Sequence, residues 1–269
     1  MGQQDKTSNE LVLRLASAAV LIPFGLFVVS EGGPVLALGC ALFAGLMAYE
    51  WVRMTASPAL VWLVLLAFLP SLIAPLLGLP LAVILLFVLA LLAGRVHPLQ
   101  SEQLMSALGY LYVAGMPLAL FILREGPWDG RTTALIVMAI VWGSDSAAYF
   151  AGRGFGGPPL TPESPSKTWS GALGAVIFST LCGGVAARLT GGDVMTWLIS
   201  GAILSILAQS GDLMESMIKR RYGVKDASGL VPGHGGVLDR VDGLGIVCIV
   251  ASIALLSVPE YVVRLGLGA

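Results

Sequence analysis

Three carboxylates stand where an oily sequence tolerates them least: Asp145 in "VWGSDSAAYF", and Asp212 and Glu215 in "AQSGDLMESMIKRR". An ionisable group inside a membrane span costs about 3 kcal/mol even on lenient insertion scales, so it faces a partner, an ion or a wet cavity. A salt bridge, or a helix-end carboxylate reaching the surface, meets the same need, and for Glu215 that reading stands beside a functional one. Asp212, Ser216, Lys219 and Arg220 are offset by four, seven and eight positions, which puts them on one face of a helix. One helical stripe then offers an oxygen ligand, a hydroxyl and two cations.

The segment that follows supplies the complement. "PGHGGVLDRVD" combines glycines and a proline, which permit close backbone approach, with Asp239 and Asp242 three residues apart, again on one face if helical. Carboxylates with Gly and Ser nearby suit a hard cation such as Mg²⁺, which takes oxygen ligands and bridges to substrate phosphates. The stretch 216 to 243 also holds five of the fifteen Lys and Arg residues, and these can neutralise phosphate oxygens, Arg bidentately. A solvated basic loop explains the bases alone; it leaves the interleaved acids and glycines unexplained. His234, between glycines, has three open readings: a general base, a phosphate donor or a turn residue. The other histidine, His97, lies far off in sequence, which argues against a His-rich metal site.

A second polar segment reads "AGRGFGGPPLTPESPSKTWSG". Its "GRGFGG" fits the dinucleotide glycine pattern in form only, because a membrane span precedes it and a proline-rich stretch follows, without the strand and helix the motif requires. Lys167 is placed either to reach a phosphate at the membrane surface or to serve as an interfacial anchor.

The elements that must position these residues are membrane spans. With 57% hydrophobic and 12% charged residues and a mean hydropathy of +0.88, the chain lies outside the soluble globular range. The expected fold is an all-α polytopic bundle of about nine transmembrane helices, near 11–30, 34–52, 58–77, 79–94, 105–123, 132–151, 171–189, 194–217 and 243–264. The break "LGLP" after the third span reads as a loop or a kink. The first run, too long for a signal-peptide core, is expected to be a retained span. A single transmembrane domain over 1–269 is expected, with no soluble domain, and its active site formed mainly by 142–171 and 208–243. Cys40, Cys182 and Cys248 lie in apolar runs without metal or disulfide spacing and read as packing residues. A net charge of -1 says little about partners, since acids and bases cluster in a few loops.

Lys and Arg counts in the connecting loops give an orientation, because positive residues stay on the cytoplasmic side. With the N-terminus inside, eleven basic residues fall inside and four (Arg124, Arg131, Arg188 and Arg264) fall outside. Both polar loops, 152–170 and 218–242, are then cytoplasmic.

Over "GDLMESMIKRRYGVKDASGLVPGHGGVLDRVD" (211–242), and secondarily over Asp145, Ala148, Tyr149, Gly152 and "SPSKTWSG", the chain resembles the phosphatidate cytidylyltransferase (CDP-diacylglycerol synthase) family. The resemblance implies transfer of CMP from CTP to phosphatidic acid, giving CDP-diacylglycerol and pyrophosphate with a divalent cation, in a bacterial inner membrane. It places metal binding on Asp212 and Asp239, helped by Asp242, with Asp145 as a further acidic ligand. Catalytic roles fall on Lys219, Asp226 and His234, and substrate contacts on Lys167, Ser216, Arg220, Lys225 and Arg240. The expected cofactor is Mg²⁺, with a second, monovalent cation compatible. The expected partners are CTP, phosphatidic acid and the bilayer, with no nucleic acid and with a homodimer left open. Ser166 and Ser170 depart from the commoner "SPKKTWEG" form, and "ASG" after Asp226 also differs, which bears on local loop contacts.

Two other readings compete. A CDP-alcohol phosphotransferase would carry a spaced "DGxxAR...GxxxD...D" pattern, absent here, while a polyprenol kinase shares the use of CTP. An ion-coupled transporter would favour mid-span acids and inverted repeats, whereas these acids lie toward span ends and no repeat is visible. The N-in topology predicts that a cysteine at Gly223 reacts with an impermeant maleimide only after the cytoplasmic side is opened, while one at Gly192 reacts from outside. Reversed labelling overturns this orientation.

Overall fold

Long apolar stretches punctuated by Gly, Pro and charge leave the backbone one way to satisfy its polar groups in lipid, which is to close them inside helices. In the computed structural model, which describes residues 17, 19–55, 61–162, 164–231 and 235–268, that is what they do. In chain order the helices are α1 (Ala19–Glu31), α2 (Gly33–Met54), α3 (Val61–Leu66), α4 (Leu69–Leu77), α5 (Leu79–Val96), α6 (Gln103–Glu125), α7 (Gly130–Phe155), α8 (Trp169–Thr190), α9 (Val194–Arg221), α10 (Leu238–Ser257) and α11 (Pro259–Arg264). Among the described residues, seven helices are long and apolar enough to cross a membrane, and Ala19–Glu31 and Val61–Leu77 are shorter apolar segments. The protein is an all-α polytopic membrane protein.

Three local features refine the sequence-based expectation. The "LGLP" break is a true separation: Gly78 sits at φ 94, in the region glycine favours, and ends α4 before Pro80 opens α5. The last span starts at Leu238 and stops at Ser257, shifted toward the N-terminus from 243–264, with Pro259 opening a separate short helix. The proline-rich segment after α7 forms an antiparallel ribbon of β1 (Pro159–Thr161) and β2 (Ser164–Thr168), pairing Pro159 with Thr168 and Thr161 with Ser164.

The chain divides into two compact units, one drawn from Met1–Phe121 and Tyr222–Val241, the other from Ile122–Arg221 and Asp242–Ala269. In the first, glycines accept aromatic rings: a Cβ on Gly45 would lie 2.2 Å from the Phe68 ring, and one on Gly109 would lie 1.9 Å from the Trp51 ring. The Tyr222 ring meets Trp51 edge-on at 6.5 Å, and its hydroxyl donates to Glu102 at 2.7 Å.

In the second unit, backbone meets backbone. A Cβ on Gly183 would fall 2.2 Å from the Trp197 carbonyl oxygen, and one on Gly201 would fall 2.2 Å from that of Ser179, so α8 and α9 touch along small residues. Helix starts are capped by side chains, Asp129 accepting from Thr132 N–H, Thr168 from Gly171 N–H and Asp193 from Thr196 N–H. Hydrogen bonds from Thr132 and Thr196 hold Asp129 and Asp193 below the usual carboxylate range. The C-terminal segment returns to these caps: Trp197 Nε1 donates to the Leu265 carbonyl at 2.9 Å, Asp193 N–H to that of Arg264 at 2.7 Å and Asp129 N–H to that of Leu267 at 2.8 Å.

Candidate active site

Within the second unit, close helix packing delivers three of the nominated acids to one neighbourhood. Gly211 and Gly243 let α9 and α10 approach, since a Cβ on Gly211 would stand 2.6 Å from the Asp242 carbonyl oxygen and one on Gly243 would stand 3.1 Å from that of Ala208. Asp212 and Asp242 flank that contact. A buried hydrogen bond between the Ser144 and Ser205 hydroxyls, 2.7 Å long, ties α7 to α9, and Gln209 extends it by donating to Ser205 at 3.1 Å. Asp145 follows Ser144 directly. Asp242 closely approaches Asp212, and Asp145 lies within electrostatic reach of both.

A lysine answers part of this charge. Lys167, at the end of β2, forms an ion pair with Asp212. Its position is fixed by the ribbon and by Thr168 and Gly171 at the start of α8, where Gly171 sits close against Gly152 of α7. Ser170 donates to the Gly156 carbonyl and closes the same turn.

The end of α9 behaves differently from the simple stripe the spacing suggests. Lys219 is buried and pairs with the more deeply buried Glu215 at 3.1 Å, one helical turn away. Ser216 is half-buried, and Arg220 and Arg221 are exposed.

In the first unit, Lys225 and Asp226 are exposed and Arg240 is exposed at the start of α10. Asp239 Oδ2 accepts the N–H of Ala227 at 2.9 Å and of Gly236 at 2.7 Å, so this carboxylate braces the segment in front of its own helix. His234 lies outside the described residues. A residue that the sequence reading passed over enters here: Glu50 of α2, fully buried, accepts the N–H groups of Val237 and Leu238 and the Ser228 hydroxyl. An acid inside a predicted span, in "LMAYEWVRM", was the available signal.

Among the described residues, no group of three His, Cys, Asp or Glu side chains is gathered closely enough to hold a metal ion. The donor chemistry of the second unit nonetheless fits a hard divalent cation. Asp145 is exposed and Asp212 and Asp242 are half-buried, so the three acids offer oxygen donors of the kind such an ion takes, with Lys167 beside them.

The fold and this group of acids around Lys167 define a polytopic membrane protein with a charged cluster among its long apolar helices. The cytidylyltransferase family model matches residues 12–258, and the chain belongs to that family. It is 37% identical over 263 residues to the phosphatidate cytidylyltransferase of Brucella melitensis, covering 92% of each chain. The protein of that name from Pseudomonas aeruginosa is 33% identical over 253 residues, covering 86% of this chain and 92% of the relative. The family uses a divalent metal, and the chain is a nucleotidyltransferase.

The Glu215–Lys219 pair makes its own prediction. Removing one partner of a buried ion pair costs about 3–5 kcal/mol, whereas replacing both by apolar groups is close to neutral. Lys219→Met should therefore lower the unfolding temperature of the detergent-solubilised protein markedly, and Glu215→Leu with Lys219→Met should recover most of it. Equal destabilisation by the single and double variants would show that the pair is not a unit.

Proposed function

We propose that this chain transfers the cytidylyl group of CTP to phosphatidic acid, giving CDP-diacylglycerol and pyrophosphate. The observation that carries this reading is the family match over residues 12–258, supported by the resemblance of segment 211–242 to the phosphatidate cytidylyltransferases. A phosphate oxygen of phosphatidic acid attacks the α-phosphorus of CTP, the bond from that phosphorus to the bridging oxygen breaks, and pyrophosphate leaves with the electron pair. The lipid brings its own nucleophile, so no serine or cysteine is needed for attack. Positioning and charge stabilisation carry such a transfer.

Residue roles follow from chemistry. Asp145, Asp212 and Asp242 would hold the divalent cation, taken here as Mg²⁺, and Asp239 is assigned a ligand role from the motif alone. When bound, the ion neutralises phosphate charge. Lys167 and Arg220 receive phosphate oxygens, Ser216 offers a hydroxyl, and Lys225 and Arg240 add basic contacts. Lys219 sets the electrostatics at the end of α9 through Glu215, and Asp226 and His234 are assigned to the reacting groups from the motif. The reaction takes place on the cytoplasmic face of a bacterial inner membrane, where CTP is available.

The test is purified protein with α-labelled CTP and phosphatidic acid, with and without Mg²⁺, scoring label in the lipid phase. Labelled lipid should form only with the divalent ion, and Asp212→Asn should abolish it while folded protein persists in the membrane. Wild-type turnover by Asp212→Asn at saturating Mg²⁺ would remove Asp212 from the metal site. Absence of labelled lipid with folded wild-type protein and saturating Mg²⁺ would remove the substrate assignment.

A further inference from the structure

Among the described residues, Glu50 is the most completely buried acid outside the nominated ones, with 0% exposure. A carboxylate sealed in a helical span needs compensation, and this one obtains it from three donors. Val237 N–H donates to Oε1 at 2.8 Å, Leu238 N–H to Oε2 at 2.7 Å and the Ser228 hydroxyl to Oε1. Leu238 is the first residue of α10. The first N–H groups of a helix have no partner inside it and carry the positive end of its dipole. Glu50 thus caps α10 from a helix almost two hundred residues earlier in the chain.

The approach is tight enough to dictate sequence. A Cβ on Gly236 would lie 2.7 and 2.9 Å from the two Glu50 oxygens and 3.0 Å from Asp239 Oδ2, so only glycine fits between the two carboxylates. Gly235 beside it takes φ +83. Asp239 holds Ala227 and Gly236, Glu50 holds Ser228, Val237 and Leu238, and the two acids together brace both ends of the described segment that presents Lys225, Asp226 and Asp239.

We propose that Glu50 is a positioning residue of this enzyme: its carboxylate fixes the start of α10 and the backbone of 227–231 and 235–238, and through them the placement of Lys225, Asp226 and Asp239. The proposal rests on the cytidylyl-transfer reading for the consequence in turnover, while its structural half stands apart from that reading. Glu50→Gln offers an amide NH₂ where two backbone N–H groups and a hydroxyl require acceptors, so at least one contact is lost and a donor faces a donor. Ser228→Ala removes one donor and leaves the two backbone bonds in place.

The experiment pairs hydrogen exchange with steady-state kinetics on the full-length protein in detergent micelles. In Glu50→Gln the amides of Ala227, Val237 and Leu238 should exchange at least tenfold faster than in wild type, while amides of α8 and α9 keep their protection. Catalytic constant should fall at least tenfold with the KM for CTP changed less than threefold. Ser228→Ala should show a smaller effect of the same kind, and Ser228→Ala added to Glu50→Gln should cost less than the product of the single effects, because both act through one carboxylate. Unchanged exchange at 227 and 237–238 in Glu50→Gln overturns the proposal, as does faster exchange spread uniformly over all helices in both Glu50→Gln and Ser228→Ala. If wild type itself fails to transfer the cytidylyl group, the substrate reading falls, and the exchange pattern still decides the role of Glu50.

Discussion

Negative charge at membrane depth has to be compensated, and the structure meets that demand in three ways. Glu50 is answered by backbone N–H groups and a hydroxyl at the start of α10. Glu215 is answered by the Lys219 ammonium one turn along the same helix. Asp145, Asp212 and Asp242 are answered only in part, with Lys167 on Asp212. The first ties α2 to the start of α10, and the second pairs two groups within α9. The third gathers oxygen donors of the kind a hard cation takes, and it is the group assigned to the cation in the proposed reaction.

Small residues make the open group attainable. Gly211 and Gly243 bring α9 against α10 beside Asp212 and Asp242, and Gly152, Gly171 and Gly174 bring α7 against α8 beside Lys167. Side chains at these positions would hold the helices apart by the width of a methyl group or more, and the ionic partners would lose reach. The same logic suits a reaction between two polyanions, where the protein has little covalent work to do and must hold charges at fixed separations.

Much of this was legible in the sequence because it is local. Span existence follows from runs of apolar residues, and the acids at Asp145 and Asp212 from their hydrophobic surroundings, while "LGLP" leaves a loop and a kink both open and the structure decides between them with Gly78 at φ 94. The spacing of Asp212, Ser216, Lys219 and Arg220 was read correctly as helical, yet a helical face does not say which member turns inward. Packing sends Lys219 to Glu215 and leaves Arg220 exposed. What the sequence hid is what depends on distant contacts. Nothing in the neighbourhood of Leu238 announces that α10 starts there, since the acceptor for its first N–H groups comes from Glu50. The β1–β2 ribbon was hidden too, because a short proline-rich segment has no hydrophobic alternation from which to infer strands.

The claim that the Asp145, Asp212 and Asp242 group is a cation site can be measured without turnover. Mn²⁺ favours the same oxygen donors as Mg²⁺ and is visible by electron paramagnetic resonance. Titrated into the metal-free, full-length protein, it should fill a saturable site in wild type, and that site should be lost or strongly weakened in Asp212→Asn and in Asp242→Asn, with α-helical content unchanged. Mn²⁺ binding of equal affinity and stoichiometry in wild type and both variants would contradict the account.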